Sequence, residues 1–307
     1  MNAVCQQLGI DIPIVQAPMG WIARAQLASS VSEAGGMGII ETSSGLLDEV
    51  KVEIESMRER TDRPFGVNIA QLFVRDPSIV DWVVDQGVRF VTTSAGDPGR
   101  YTDALHDAGV TVYHGGPPLR GARTALDAGV DGLIVESVEG GGFKNPDGAS
   151  AMVLLPLIRA ETDLPVIAAG GICDAVSMAA ALVLGADGVQ MGTRMLTAAE
   201  SPVHDAYKAA VVAASETDTV LVNRSARPAM RALRTDLTES LEPATESVMD
   251  RLGTILDLYF GGDMEASVAM AGQVAGRIDE IRPVAEILTD TWNGARRILR
   301  DRADAVR

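Results

Sequence analysis

The stretch Asp127-Ala-Gly-Val-Asp-Gly-Leu-Ile-Val135 passes from a helical pattern through a glycine into an apolar run. Glycine commonly ends a helix, because it adopts the left-handed conformation without a steric cost. The apolar run that follows has the composition of a buried parallel strand. This unit therefore predicts the end of a helix followed at once by a strand.

The same unit occurs four more times along the chain. The other copies are Ser32-Glu-Ala-Gly-Gly-Met-Gly-Ile-Ile40, Asp85-Gln-Gly-Val-Arg-Phe-Val91, Asp107-Ala-Gly-Val-Thr-Val112 and Leu184-Gly-Ala-Asp-Gly-Val-Gln190. Further strands are entered through proline. Together they predict eight strands, near residues 13–17, 37–41, 64–69, 88–94, 110–114, 131–136, 164–169 and 186–191.

The stretches between these strands carry apolar residues at three- and four-residue spacing, as helices packed outside a parallel sheet do. They cover residues 24–34, 47–60, 78–86, 100–108, 119–128, 150–161 and 174–184. Alternation of strand and helix predicts an α/β protein, and eight units predict closure into a (β/α)8 TIM barrel. A chain of 307 residues suits one such barrel.

After the eighth strand the regular pattern stops. Residues 197–262 are richer in polar residues, and a long helix is predicted at 283–303. We interpret 197–262 as a helical lid inserted into a barrel formed by residues 1–196 and 263–307, because active sites of such barrels lie where this insertion leaves the last strand. A surface excursion without function is the alternative.

Composition excludes several function classes. A formal net charge of -16 argues against nucleic acid as a partner. The chain shows neither a secretion signal at its N-terminus nor a run of about 18 apolar residues, so we expect no membrane partner and a cytoplasmic location. Cys5 and Cys173 lie far apart, and no cluster of ligand residues has metal-binding spacing, so we expect neither a disulfide nor a metal. A homodimer is left open, because such barrels often pair.

Two glycine-bearing loops follow the seventh and eighth predicted strands. They read Ala168-Ala-Gly-Gly-Ile172 and Gln190-Met-Gly-Thr-Arg194. Backbone N–H groups in such loops can bind a phosphate, and barrels commonly bind phosphates after these two strands. Two tight turns without a ligand are the alternative. The candidate cofactor-binding residues here are Ala169, Gly170, Gly171, Gln190, Met191, Gly192 and Thr193.

Other strand ends offer a surface for the flat part of a cofactor. Ala17, Pro18, Met19 and Gly20 present little bulk after the first strand, and Asn68 can both donate and accept hydrogen bonds. These residue types suit an isoalloxazine ring, although each one also suits packing or a turn. Gln190 is a further candidate for this ring, with a core hydrogen bond as the alternative.

Seven segments of the sequence carry a resemblance to a known family. They are Pro13-Ile-Val-Gln-Ala-Pro-Met19, Ala34-Gly-Gly-Met-Gly-Ile-Ile40, Pro64-Phe-Gly-Val-Asn68, Val91-Thr-Thr-Ser-Ala-Gly96, Pro165-Val-Ile-Ala-Ala-Gly-Gly-Ile172, Val189-Gln-Met-Gly-Thr-Arg194 and Ala271-Gly-Gln-Val-Ala-Gly276. In this order they resemble the nitronate monooxygenase (2-nitropropane dioxygenase) family and the related FMN-dependent enoyl-acyl-carrier-protein reductases.

The resemblance implies FMN at the barrel mouth, on the phosphate and ring residues named above. It also implies that the loop Glu139-Gly-Gly-Gly142 lines the substrate side, with Gly141, Gly142 and Phe143 as lining residues. The family motif reads Glu-Ala-Gly-Gly-His at this point, and its histidine is catalytic, whereas this chain has Phe143. A phenyl ring neither accepts nor donates a proton.

Other residues are candidates for the missing acid–base function. His114 ends the fifth predicted strand, so we expect it to face the cavity, with a structural role as the alternative. Lys144, next to Phe143, and Arg227 in the lid are candidates for contact with an anionic substrate, or are solvated cations. Glu136 is assigned to the cofactor side, with a structural hydrogen bond to the glycine loop as the alternative.

Three functions remain open. The first is oxidation of a small nitronate-like carbanion, with FMN as electron acceptor and oxygen reoxidising it. The second is an NADH- or NADPH-dependent reductase or dehydrogenase acting on an acyl thioester, either acyl-CoA or acyl carrier protein. The third is a flavin-binding protein whose catalysis is weakened because Phe143 replaces the histidine.

Overall fold

The computed structural model describes residues 2–45, 47–74, 76–116 and 118–306. Eight parallel strands form one sheet in the order β1-β9-β8-β6-β5-β4-β3-β2, and a bridge between Val15 and Met37 joins its two ends. The predicted TIM barrel is confirmed. Its strands are β1 Ile14–Gln16, β2 Gly38–Ile40, β3 Phe65–Ala70, β4 Phe90–Ser94, β5 Thr111–Gly115, β6 Gly132–Glu136, β8 Val166–Ala169 and β9 Gly188–Met191.

Helices surround the barrel, and most of them connect one barrel strand to the next along the chain. They are α1 Ala3–Leu8, α2 Ala25–Glu33, α3 Leu47–Arg60, α4 Ile79–Asp85, α5 Gly99–Asp107, α6 Leu119–Asp127, α7 Ala151–Arg159, α8 Ala175–Val183, α9 Thr193–Leu196, α10 Asp205–Ala213, α11 Asp236–Leu241, α12 Ile255–Tyr259 and α13 Val284–Ala305. Short 3-10 helices span Gln71–Phe73, Met249–Arg251 and Gln273–Arg277. The long α13 packs against α2 and α8 and completes the outer layer.

Side chains alternate between the barrel interior and the helix layer. Phe90 and Tyr113 meet edge to face inside the barrel, with ring centroids 5.2 Å apart. A Cβ atom at Gly132 would lie 2.4 Å from the Tyr113 ring, so only glycine fits there. Helix α1 closes the bottom of the barrel, because Val4 and Leu8 belong to the same apolar cluster.

The segment after β9 contains strands as well as the predicted helices. β10 Thr219–Val222 and β11 Ala229–Leu233 pair in antiparallel fashion, and β11 also pairs with β7 Gly142–Lys144. Val220, Met230 and their neighbours form an apolar cluster of their own. The sequence did not predict these strands, and the register of β11 against β7 joins Ala229 to Lys144 in a glycine loop 85 residues earlier. The division at residues 197 and 262 stays a prediction.

None of the helices in the described part of the chain combines the length and the apolar character needed to cross a membrane.

Candidate active site at the mouth of the barrel

A cavity of about 930 Å³ opens where the carboxyl ends of the barrel strands meet the lid. Its volume lies at the upper end of the range for small-molecule sites, so it has room for a cofactor and a substrate together. Residues expected from the sequence that line it are Ala17, Pro18, Met19, Gly20, Asn68, Glu136, Gly141, Gly142, Phe143, Lys144, Ala169, Gly170, Gly171, Gln190, Gly192 and Thr193.

The glycine loop after β8 exposes its backbone to the cavity. Gly170 and Gly171 have φ angles of 82° and 77°, a left-handed conformation that side chains rarely tolerate. A Cβ at Gly170 would lie 2.6 Å from Ser137 Oγ. The N–H groups of Gly171 and Gly192 have no acceptor among the described residues. Successive backbone N–H groups exposed in a turn can form a concave anion site.

The segment after the lid closes the side of the cavity beside the glycine loops that follow β8 and β9. Gly272 N donates to Thr193 Oγ1 at 2.9 Å, and Gln273 N donates to Glu139 O at 2.9 Å. A Cβ at Gly141 would lie 2.6 Å from the Ala271 carbonyl carbon. The glycine at 141 is thus explained by a close approach of two backbones. Thr193 holds this segment with its side chain.

Asn68 and Gln190 present polar atoms to the cavity. Asn68 Nδ2 donates to Thr92 Oγ1 at 2.9 Å and to Thr92 O at 3.1 Å, which leaves its amide oxygen for a ligand. Gln190 Oε1 is buried and has no hydrogen-bond partner among the described residues. A buried acceptor without a partner is costly, and an N–H on the edge of a flavin ring would satisfy it. These residues fit FMN.

Glu136 and Lys144 form an ion pair inside the cavity. Lys144 Nζ donates to Glu136 Oε1, and the lysine side chain is only 4% exposed. A Cβ at Gly140 would lie 2.7 Å from Lys144 Nζ, so the glycine leaves room for the pair. A buried charge persists when a partner compensates it. The pair places an ammonium group on the cavity wall.

A sequence model described as nitronate monooxygenase matches residues 2–86 and 70–293 of this chain. The chain belongs to the nitronate monooxygenase family. The resemblance seen in the sequence is thereby confirmed, including the relation to enoyl-acyl-carrier-protein reductases. The family is flavin-dependent, and this protein is an oxidoreductase.

Three relatives differ in the reactions their names describe. The (3aS,4S,5R,7aS)-5-hydroxy-7a-methyl-1-oxo-octahydro-1H-indene-4-carboxyl-CoA dehydrogenase of Mycobacterium tuberculosis is 37% identical, over 78% of this chain and 68% of its own length. FabK from Thermotoga maritima shares 34% identity with a TM-score of 0.92, and 99% of each chain is covered. Nitroalkane oxidase from Streptomyces ansochromogenes shares 27% identity with a TM-score of 0.84, over 97% of this chain and 99% of its own.

Phe143 is the residue that the sequence resemblance aligns with the family histidine. It lines the cavity, is 42% exposed, and stacks against Phe73 with ring centroids 6.2 Å apart. None of the three histidines of this chain, His106, His114 and His204, lines the cavity. His106 bonds to Asp131 and His204 caps α10, both away from the site. Acid–base chemistry in this cavity therefore needs another group.

The expectation that His114 faces the cavity is wrong. Its Nδ1 is hydrogen-bonded to Thr93 Oγ1 at 2.9 Å, and neither residue lines the cavity, whereas Thr92 and Gly115 do. Successive strand residues point to opposite faces, and Tyr113 on the same strand points into the barrel. His114 therefore points outward into the helix layer.

Two further assignments are corrected by the structure. Met191 belongs to the apolar layer outside the barrel, because Gln190 occupies the inward position of β9. Only its backbone faces the first loop, where Met191 O accepts from Ala17 N at 2.9 Å. Arg227 does not line the cavity: it is exposed and pairs with Asp147 at 2.9 Å. Asp147 is the member of that pair on the cavity wall.

His114 gives the protein a pH-dependent stability. Burial lowers the pKa of His114 from 6.5 to about 4, so between these values the unfolded chain binds a proton that the folded chain does not. Stability is therefore fully present above pH 6.5 and falls as the pH drops through 4, by up to about 3 kcal/mol. Urea unfolding at pH 7 and pH 4.5 should show a smaller loss for His114→Asn than for the wild type. An equal loss in both proteins would contradict this assignment.

Several residues that line the cavity were not predicted from the sequence. Trp21 lies in the loop after β1 with a φ of 65°. Phe73, Tyr259 and Met270 reach the cavity from segments far apart in the chain. The sequence draws attention to Tyr259 in one way only. It stands next to Phe260, and only 4% of the residues in this chain are aromatic. Nothing in the sequence indicates that α12 points this side chain into the barrel mouth.

Proposed function

We propose that this protein is an FMN-dependent oxidoreductase that acts on the carbon–carbon bond beside the carbonyl of an acyl thioester, with NADH or NADPH as electron partner. The observation that carries the proposal is the Lys144–Glu136 pair in a cavity without histidine. A buried ammonium group is suited to a carbonyl oxygen on which negative charge develops. The sequence ranks nitronate oxidation first, whereas the buried ammonium group and the size of the cavity support an acyl thioester.

The residues that would hold FMN come from the carboxyl ends of four barrel strands, β1, β3, β8 and β9. The N–H groups of Gly171 and Gly192 would bind its phosphate, and Asn68 and Gln190 would bind the edge of its ring. Met19 would lie beside the ring. When bound, FMN supplies a two-electron acceptor or donor for hydride transfer.

Lys144 would carry the proton of the reaction. In the oxidation direction the substrate loses a proton from the carbon next to the carbonyl and a hydride from the following carbon. In that direction the neutral Lys144 amine would accept this proton, and the resulting ammonium, paired with Glu136, would stabilise the negative charge on the thioester oxygen before it releases the proton to the solvent. Glu136 holds Nζ in place through its carboxylate. In the reduction direction the same groups deliver the proton.

Two relatives support a thioester substrate. The Mycobacterium tuberculosis relative is named as a dehydrogenase of a carboxyl-CoA compound and shares 37% identity with this chain. FabK from Thermotoga maritima, an enoyl-acyl-carrier-protein reductase, matches this chain with the TM-score of 0.92 given above. The cavity of about 930 Å³ also exceeds what a small nitroalkane requires.

Nitronate oxidation is the second candidate function. An anionic nitronate is already deprotonated and needs no base, and the Lys144 ammonium lines the cavity where it could bind this anion. Electrons would pass from the nitronate to the flavin, and oxygen would accept them from there.

Phe143→His restores the family histidine. We expect this variant to oxidise neutral 2-nitropropane, which must lose a proton before it gives up electrons, at least tenfold faster than the wild type, because a positioned general base contributes about a hundredfold or more. Oxygen consumption measures the rate. Phe73→His is the matched control, since Phe73 also lines the cavity and stacks on Phe143. Equal rates for wild type and Phe143→His would contradict the assigned position.

Anaerobic stopped-flow absorbance of the purified flavoprotein tests the proposed function. NADH, NADPH, cyclohexanecarboxyl-CoA and propyl-2-nitronate are added in separate runs, and the flavin peak is followed. Bleaching by a nicotinamide or by the thioester supports the proposal. Bleaching by the nitronate alone moves the assignment to the second candidate, and a protein without a flavin peak overturns both.

A further inference from the structure

The lid side of the cavity is almost entirely apolar. Its lining side chains come from the lid and from neighbouring barrel loops, and they are Ile22, Leu196, Leu252, Ile255, Val268 and Met270. Exposed apolar side chains continue this wall to the rim, where Phe143 is 42%, Leu157 is 46% and Met249 is 39% exposed. An apolar wall that reaches the surface marks the path of an apolar ligand.

Tyr259 interrupts this wall with a hydroxyl group. The side chain is only 5% exposed and lines the cavity. Its hydroxyl has no hydrogen-bond partner in the part of the chain that the structure describes. The hydroxyl is also not fully enclosed by protein atoms, so a molecule in the cavity can reach it. A buried tyrosine hydroxyl usually finds a partner. The missing partner therefore belongs to whatever fills the cavity.

The neighbouring Tyr207 provides an internal comparison. The two rings stack with centroids 5.6 Å apart and an interplanar angle of 17°. Tyr207 Oη donates to Met270 O at 2.7 Å, so its hydroxyl is satisfied inside the protein. The lid thus carries two buried, parallel tyrosines, and only one of them has its partner within the chain.

Tyr259 stays protonated at any physiological pH. Burial raises its pKa above the ordinary value, and the carboxylate of Glu41 adds to the rise. The hydroxyl is thus available as a hydrogen-bond donor. Ser267, also buried, is the other side-chain hydroxyl on the lid side of the described cavity.

We infer that the acyl group of the substrate is apolar and carries, besides the thioester carbonyl, a hydrogen-bond-accepting oxygen such as a ketone, and that Tyr259 recognises this oxygen. The inference rests on the proposed function and names the class of acyl group. A site built around a polar group discriminates against a ligand without the matching group, because the buried hydroxyl is then left unpaired. Tyr259 is a specificity-determining residue in this scheme.

A binding experiment with matched thioesters tests the inference. The probes are cyclohexanecarboxyl-CoA and its 3-oxo and 4-oxo analogues, titrated anaerobically into the flavoprotein while the flavin absorbance spectrum is recorded. We expect the wild type to bind one oxo analogue roughly three- to tenfold tighter than the parent, as one net hydrogen bond provides. Tyr259→Phe should lose this preference and bind the parent as before.

Tyr207→Phe is the matched control, because it removes a hydroxyl from the neighbouring ring, which does not line the cavity. It should keep the preference for the oxo analogue. The inference is overturned if the wild type binds all three thioesters equally, or if Tyr259→Phe weakens parent and analogue to the same extent. If no thioester perturbs the wild-type spectrum, the proposed function fails and the inference fails with it.

Discussion

Lys144→Met is expected to lower kcat for an acyl thioester at least a hundredfold while flavin content and substrate binding stay within about twofold. The reason is that a positioned proton carrier contributes about a hundred- to ten-thousandfold, and Lys144 is the one ammonium on the described cavity wall. Methionine keeps the length of the side chain without its charge. Single-turnover flavin reduction or oxidation measures the chemical step directly.

Lys208→Met serves as the control for the cost of changing a buried lysine. Lys208 is 4% exposed, donates to Ala199 O at 3.3 Å, and does not line the cavity. Its replacement should affect stability and leave the chemical step unchanged. The role assigned to Lys144 is wrong if Lys144→Met keeps half of the wild-type kcat, or if both variants lose the same fraction.

Gly171→Asp is expected to reduce the flavin affinity at least a hundredfold. Gly171 contributes an unpartnered N–H to the loop after β8, and a carboxylate there would lie close to the phosphate. Two like charges a few ångström apart oppose one another by about 4 kcal/mol at an effective dielectric of about 20. Flavin retained after dialysis, read from the absorbance spectrum, is the measurement.

Two controls separate charge from backbone strain. Gly171→Asn introduces the same bulk at a φ of 77° without a charge, and asparagine tolerates this conformation. Gly129→Asp introduces the same aspartate at a φ of 76°, where a Cβ meets nothing within 4 Å and no flavin is expected. Both should keep most of their flavin. A fully loaded Gly171→Asp would place the phosphate elsewhere.

The barrel could be predicted because its signals are local. Each glycine that ends a helix lies within a few residues of the strand it introduces, as at Gly129 and β6, so the pattern needs no knowledge of distant contacts. Strands β10 and β11 carry no comparable glycine signal, and the second partner of β11 is β7, which lies in a distant loop. The lid was therefore expected to be helical.

The direction of single side chains was the least predictable part of the site. His114 and Met191 were assigned to the cavity, although Gly115 and Gln190 occupy the inward positions next to them. Strands of a parallel barrel are buried on both faces, so apolar residues occur at inward and outward positions alike. The sequence then shows where a strand ends but not which of its last two residues faces inward.

The pairing of β7 with β11 joins the loop that carries Lys144, the proposed proton carrier, to the lid. Phe143 and Lys144 are registered against Met230 and Ala229, so a displacement of the β10–β11 hairpin is transmitted to the ammonium group. An open lid would thus withdraw the proton carrier from the flavin, and a closed one would return it. In the proposed mechanism, the position of the lid would therefore decide whether Lys144 can transfer its proton.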